Sequence, residues 1–391
     1  MTTKTYSKLF AALLILSLLL AACAPKTTPT IEPTKAAADS QAAATITPPT
    51  IEQPTAEQPA TSTKCSFKIG FVSDVGKIND QSFNQAGWTG VQEGAKVLGL
   101  SDKCYSFIET ADSADYETNI KSFVKEGYNV IVTSGFAMGA VTRLVAKENP
   151  NIFFIGIDQQ QVNDKFEPDP YVNVAGLNFH EDMGGFLAGA TAGLMTKSNV
   201  VAGVFGCQFI PAVARYEVGF HNGVTFVNPN AKIIDVYHPG SIDQCFSDAS
   251  FGSETAQSFI NEGADVVYGA GGLTANGALI TACNKGAMVI GTDMDQFVTL
   301  PEVKDCIVTS ALKDIVTGLR NLIVSAKDGS FKGGDAFGPS TLASFHNLDS
   351  KIPDDVKTKL NDIAQKLSAG EINPCTPFQD SNPNTFCVPV K

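Results

Sequence analysis

At 391 residues the chain is long enough for two domains of ordinary size. Its 28 basic and 40 acidic side chains give a formal net charge of −12, which argues against nucleic acid as a partner and against direct contact with anionic lipid headgroups. Nine cysteines without a C-x-x-C pair, and four histidines (His180, His221, His238, His346) without metal-ligand spacing, give no reason to expect a zinc site or any other metal.

The N-terminus sets the compartment. Lys4 and Lys8 precede an apolar run over residues 9–20 that is broken only by Ser17. At ~1.5 Å per residue this run is too short for a ~30 Å hydrocarbon core, so residues 1–22 read as a signal segment rather than a membrane span. The run ends in Leu20-Ala21-Ala22-Cys23, which resembles the lipobox of bacterial lipoproteins and implies a lipid on the Cys23 thiol, anchoring the chain to the cell membrane. Losing residues 1–22 removes Lys4 and Lys8 and moves the net charge from −12 to −14. Residues 24–64 are rich in Thr, Pro, Ala and Gln and poor in large apolar side chains. They bury too little to offset ordering entropy and read, with the lipidated Cys23, as a tether over 23–64 that spans ~35 Å as a coil. Outside the cytoplasm the remaining eight cysteines oxidise in pairs. The economical pairing joins neighbours: Cys65–Cys104, Cys207–Cys245, Cys283–Cys306 and Cys375–Cys387.

From residue 65 onward β-rich runs alternate with helical patterns, the sign of parallel α/β layers. Strands are predicted over 67–73, 104–109, 130–134 and 153–158, with helices over 82–98, 116–126 and 138–149. In the first helix Asp80 is the expected N-cap, and Phe83, Gly87, Gly90, Val91, Gly94 and Leu98 form one face. The pattern restarts after 172–179, with strands over 200–206, 232–237, 266–270, 288–292 and 307–310 and helices between them. Gly185, Gly189 and Gly193, spaced by four, predict close packing of a helix on a sheet. The expected fold is therefore α/β, with two Rossmann-like lobes of parallel sheet joined by a hinge. The N-terminal lobe takes 65–176 and 297–326, and the C-terminal lobe takes 177–296 and 327–391.

Ligands of open α/β sheets bind beyond the carboxyl ends of the strands. The turn after the first strand carries Asp74, Asp80, Phe83 and Asn84, a set suited to a planar polar ring: a flat apolar face and two edge-reading groups. The same residues also admit a plain reading, in which Asp80 caps, Asp74 supports the turn and Phe83 packs inward. Enzyme motifs are weak. Gly269-x-Gly271-Gly272 does not complete a phosphate fingerprint, and no G-x-S-x-G occurs. No cofactor is expected. Convergence of Asp74, Asp158 and Asp293 leaves a paired-carboxylate hydrolase as an alternative.

Six stretches in order resemble one family. The stretch from Ile69 to Gln85 resembles the start of the basic membrane protein family, the purine nucleoside receptor lipoproteins of ABC importers. The segments Asn173-Val174-Ala175-Gly176-Leu177-Asn178-Phe179, Ile210-Pro211 with Tyr216-Glu217-Val218-Gly219-Phe220, Gly271-Gly272 with Asn276-Gly277, Val289-Ile290-Gly291-Thr292-Asp293, and Thr309-Ser310-Ala311-Leu312-Lys313 are similar to its later motifs. The resemblance covers roughly residues 66–330. It implies type I periplasmic-binding-protein architecture, a nucleoside in the interlobe cleft and an ABC permease as partner. Carried over by motif, it implies stacking by Phe83 and base reading by Asp74 and Asn84. It places Asp158 near the cleft, Asp293 and Lys313 on the ribose, and Gly272 where backbone approaches the sugar. The second aromatic falls in the stretch 240–248, which is longer here; Phe246 is preferred over Ile242. A sugar or autoinducer receptor of the same fold is one alternative, and a nucleoside hydrolase built on those carboxylates is the other. Trp88, the single tryptophan, lies near Phe83 in sequence and is expected to report lobe closure.

Overall fold

A computed structural model of the chain describes residues 65–375, except 164 and 166. The expected signal segment, the tether, Cys23 and Cys387 lie outside the described residues. Twelve strands alternate with ten α-helices among the described residues. The first five strands are β1 (Ile69–Val75), β2 (Tyr105–Thr110), β3 (Val130–Ser134), β4 (Phe153–Ile157) and β5 (Val174–Phe179). Between the first four run α1 (Phe83–Val97), α2 (Tyr116–Lys125) and α3 (Gly139–Glu148). The second set comprises α4 (Glu181–Met195), β6 (Val200–Phe205), α5 (Pro211–Val227), β7 (Lys232–Tyr237), α6 (Ala249–Asn261), β8 (Val266–Ala270), α7 (Gly272–Asn284), β9 (Met288–Asp293), α8 (Gln296–Thr299) and β10 (Ile307–Lys313). The chain then runs through α9 (Ile315–Asp328), β11 (Gly334–Gly338), β12 (Ser340–Leu342) and α10 (Asp354–Ser368).

The strands form two six-stranded sheets, ordered β11-β5-β4-β3-β1-β2 and β12-β10-β9-β8-β6-β7. All pairings are parallel except β10 with β12. The order of β2-β1-β3-β4-β5 repeats in β7-β6-β8-β9-β10, so the lobes share a topology and each has its switch point beside its first strand. Near-continuous apolar runs suit strands covered on both faces. In the first lobe, α1 and α9 cover one face and α2 and α3 the other. In the second, α4, α5 and α10 cover one face and α6 and α7 the other.

The lobe boundaries differ from those expected. β5 lies wholly in the first sheet, so the first crossing follows Phe179 rather than position 176. β10 stays with β9 in the second sheet, and the second crossing falls at Asp314, not near 296. The reason is packing: the Leu319 and Ile323 side chains of α9 meet Gly90 and Gly94 of α1, where an added Cβ would come within 3.0 Å and 2.9 Å of them. A third crossing returns the chain after β11, which pairs with β5 in the first sheet although 327–391 were expected in the second lobe. The glycines of α4 pack on a helix instead of a sheet. A Cβ at Gly185 or Gly189 would reach the Tyr216 and Phe220 carbonyls, and one at Gly219 or Gly223 would reach the Asp182 and Phe186 carbonyls. Two buried helices thus approach backbone to backbone. Three disulfides, Cys65–Cys104, Cys207–Cys245 and Cys283–Cys306, join pairs named above.

Candidate functional site

The carboxyl ends of the central strands of both sheets face one cavity of about 630 Å³, including its opening to solvent. Asp74 comes from β1 and Asp158 follows β4. Gly272 opens α7, Asp293 ends β9 and Lys313 ends β10. Phe83 and Asn84 open α1, while Phe246 stands in the turn before α6. All eight line the cavity, together with Asp80, Phe136, Tyr216, Ile242 and Thr292. Cys207–Cys245 pins the turn that carries Phe246, next to Gly206, where an added Cβ would lie 2.3 Å from its ring. Asp158 and Asp293 occupy corresponding positions in the two lobes, and both have left-handed backbone, φ 60° and 66°. That conformation is costly for most side chains but more accessible to Asp, and strain of this kind concentrates at functional sites.

The lobes are closed on the cavity. Ser82 Oγ donates to Asp293 Oδ2 at 2.6 Å, Asn276 Nδ2 to the Asp80 carbonyl at 2.9 Å, and Thr299 Oγ1 to the Gln81 carbonyl at 2.8 Å. The N-cap of α1 is Ser82 rather than the expected Asp80, and its side chain makes no capping hydrogen bond; Asp80, two residues earlier, tethers the start of the helix instead by accepting the backbone N–H groups of Ser82, Asn84 and Gln85. Asn84 Nδ2 donates to Asp74 Oδ1 at 2.8 Å and its Oδ1 accepts from Ser134 Oγ at 2.9 Å, which fixes the amide's orientation. Gly135 has φ +97°, and a Cβ there would come within 2.8 Å of Asp74 Oδ2, so glycine keeps that oxygen accessible.

Charge is concentrated where the lobes meet. Lys313 Nζ contacts Asp158 Oδ2 at 2.6 Å and Glu181 Oε1 at 3.0 Å, and Arg215 Nε contacts Glu181 Oε2 at 2.6 Å. The Lys313 ammonium also lies 5.0 Å from the centre of the Phe83 ring. Burial disfavours its charge, but Asp158, Glu181 and Asp293 outweigh burial and raise its pKa. Burial pushes Glu181 up, yet Arg215 and Lys313 together bring it down to about 2. Burial raises Asp158 to about 6 against the pull of Lys313. Asp74 rises to about 7, mainly through burial, with Asp80, Asp158 and Asp293 adding to it and Asn84 opposing. Asp80 rises to about 6 and Asp293 is also raised, each chiefly by burial. Asp158 Oδ1 is buried without a hydrogen-bond partner. The site is thus rich in acceptors and calls for donors.

The sequence profile of the family described as ABC transporter substrate-binding protein PnrA-like matches residues 67–337. The chain belongs to this family. As a PnrA-like substrate-binding protein it has a binding role in import, which sets aside the hydrolase alternative. It is 32% identical over 330 residues to the CD4+ T-cell-stimulating antigen of Listeria monocytogenes, covering 78% of this chain and 87% of that one. It is 30% identical over 286 residues to the ABC transporter nucleoside-binding protein BmpA of Lactococcus lactis, covering 69% and 78%. A purine-binding protein of Brucella abortus is 25% identical, over 74% and 79%. In fold the PnrA-like protein is similar to an ABC transporter solute-binding protein of Aeropyrum pernix, with TM-score 0.68, 23% identity and coverage of 78% and 92%. Its two lobes accordingly have type I periplasmic-binding-protein architecture.

Glu181 and Arg215 were not singled out in the PnrA-like sequence, although a signal was present. Each is a charge in a helix that is otherwise almost wholly buried, α4 and α5, and such a charge demands a partner. Trp88 is packed between Phe71, Tyr105 and Phe107 at the far edge of the first lobe and is not part of the cavity lining. It is therefore no direct reporter of closure.

Proposed function

We infer that the chain captures a nucleoside, with purines favoured, for an ABC permease. One observation carries this reading: five carboxylates, Asp74, Asp80, Asp158, Glu181 and Asp293, gather in or behind an aromatic-walled cavity against the cations Lys313 and Arg215. Ring N–H groups and sugar hydroxyls donate to such acceptors, whereas a phosphate calls for a basic cluster and meets repulsion. In this arrangement Asp74 and Asn84 take the edge of the base, while Phe83 and Phe246 take its faces from opposite lobes. Asp158, Asp293 and Lys313 take the ribose, and Gly272 gives the sugar room. The nucleoside-binding and purine-binding names of two relatives support the same reading. A plain sugar would use the carboxylates but leave the two phenylalanines and the Asp74–Asn84 pair without a base to read. Mass spectrometry of the small molecule released on denaturing the purified protein tests the inference: a nucleoside mass is expected, and a monosaccharide would overturn it.

Stacking on an aromatic face is worth ~1–3 kcal/mol per base. Phe83→Ala is therefore expected to weaken nucleoside binding by roughly 5- to 150-fold in calorimetric titration, with an unchanged circular dichroism spectrum. Unaltered affinity would remove Phe83 from the site.

We also propose that Cys23 carries the lipid that anchors the chain outside the cytoplasm. No helix among the described residues is long and apolar enough to cross a membrane. Cys23→Ser is expected to give protein released from membranes by mild washing and lacking a diacylglyceryl mass. Retention of that mass in the variant would contradict the anchor.

A further inference from the structure

The second lobe carries a polar cluster that the ligand cavity does not use. Glu217 and His221 lie one turn apart on α5, and Asp235 lies on the edge strand β7. His221 Nε2 is 3.1 Å from Asp235 Oδ2 and 3.4 Å from Glu217 Oε1. One ligand atom from each of the three lies within 4.8 Å of the other two. Strand alternation makes the placement of Asp235 unusual. Its neighbours in register, Ile233 and Tyr237, pack into the apolar cluster beneath α5, while Ile234 packs into the cluster on the opposite face. An acid thus occupies a core-facing position of a strand, and a second acid from the helix meets it there. A buried carboxylate, Glu217, and a half-buried one, Asp235, in contact need a proton or a cation between them.

We propose that Glu217, His221 and Asp235 bind a divalent transition-metal cation of the zinc type, with water completing the coordination. Zn–N and Zn–O bonds of ~2.0–2.2 Å place neighbouring ligands of a tetrahedral ion ~3.3 Å apart. The separations of 3.1 Å and 3.4 Å already match that edge. An imidazole with two carboxylates suits zinc, whereas magnesium and calcium seek six or more oxygens. Tyr237 hydrogen-bonds Glu217, which gives one ligand the outer support that metal-binding carboxylates usually have. The ion would clip α5, the helix that presents Tyr216 to the cavity, to β7. None of the three ligands lines that cavity. Histidine spacing passes the site over, because the third ligand comes from another element.

Titrating chelator-treated protein with Zn²⁺ tests the proposal. The melting temperature should rise by ~5 °C at a hundredfold excess over Kd, and Co²⁺ should give the visible absorption bands of a low-coordinate ion. His221→Ala and, separately, Asp235→Asn should abolish both signals while keeping the circular dichroism spectrum and the parent's calorimetric response to inosine. If His221→Ala fails to fold, Asp235→Asn supplies the same readouts. Absence of both signals in the parent protein, or their persistence in either variant, would overturn the site.

Discussion

Replacing Lys313 by methionine is expected to cost ~3–5 kcal/mol of stability, because it leaves buried Asp158 without its cation and Glu181 with Arg215 alone. Lys313 joins Asp158 of the first lobe to Glu181 of the second, and it is 4% exposed. The pH dependence carries a sign. In the parent, Glu181 is held at about 2, so its contribution to stability is present above its unfolded pKa and is lost only as pH falls through about 2. Without the ammonium, Asp158, already raised to about 6, shifts further upward, while Arg215 still pairs Glu181. The Asp158 contribution, present below its unfolded pKa, is lost as pH rises through its new value, and more is lost at high pH than in the parent. Thermal melts of Lys313→Met should therefore lie further below the parent at pH 8 than at pH 5. Adding Asp158→Asn should recover part of the loss, since it removes the carboxylate left without a cation and keeps the Arg215–Glu181 pair. Equal melting temperatures for parent and variant at both pH values would show that the network does not hold the lobes.

The second large effect concerns Asp74. Hydrogen bonds to charged groups contribute about 1.5–3 kcal/mol, so Asp74→Asn should weaken nucleoside binding by roughly 10- to 150-fold. The parent should also bind in a pH-dependent manner. Its free carboxyl sits at about 7, whereas a donor on the ligand needs it ionised. Binding below pH 7 must then expel a proton, and affinity should fall by up to tenfold per pH unit. The stability sign runs the other way for the ligand-free protein. A raised carboxyl favours the fold below its unfolded pKa, and that benefit is lost as pH rises through about 7. The ligand should therefore raise the melting temperature more at pH 8 than at pH 5.5. Calorimetry at pH 6.5 in two buffers of different ionisation enthalpy measures the released proton directly. A flat affinity between pH 5.5 and 8, with no buffer effect, would contradict the role of Asp74.

Both predictions rest on residues whose visibility in the sequence differs. Asp74, Phe83 and Asn84 were legible because a strand, a turn and a helix cap follow one another within a few residues, and strand ends are where α/β sheets bind ligands. Lys313 was not legible on chemistry alone. A lysine at a strand end before a helix reads as solvent-exposed, and only the family motif drew it inward. Its two acids, Asp158 and Glu181, lie more than a hundred residues away, a separation that periodicity does not bridge. The left-handed backbone at Asp158 and Asp293 is invisible for the same reason: tertiary context imposes it. Strand and helix positions followed the hydrophobic pattern closely. The crossings did not, since whether β10 and α9 join one lobe or the other depends on which glycine-lined face receives Leu319 and Ile323. Residues 330–375 carried little pattern before the fold showed β11 completing one sheet, β12 the other, and α10 covering the second lobe.

The most direct test of the nucleoside reading is calorimetric titration of the purified protein with inosine, guanosine, adenosine, cytidine, AMP and ribose. Nucleosides should bind, purines most tightly, with AMP weaker than adenosine because its phosphate meets the surplus of carboxylates, and ribose weaker still because it lacks a base to stack. Tight binding of AMP with no response to adenosine, or capture of ribose with no response to any nucleoside, would contradict it.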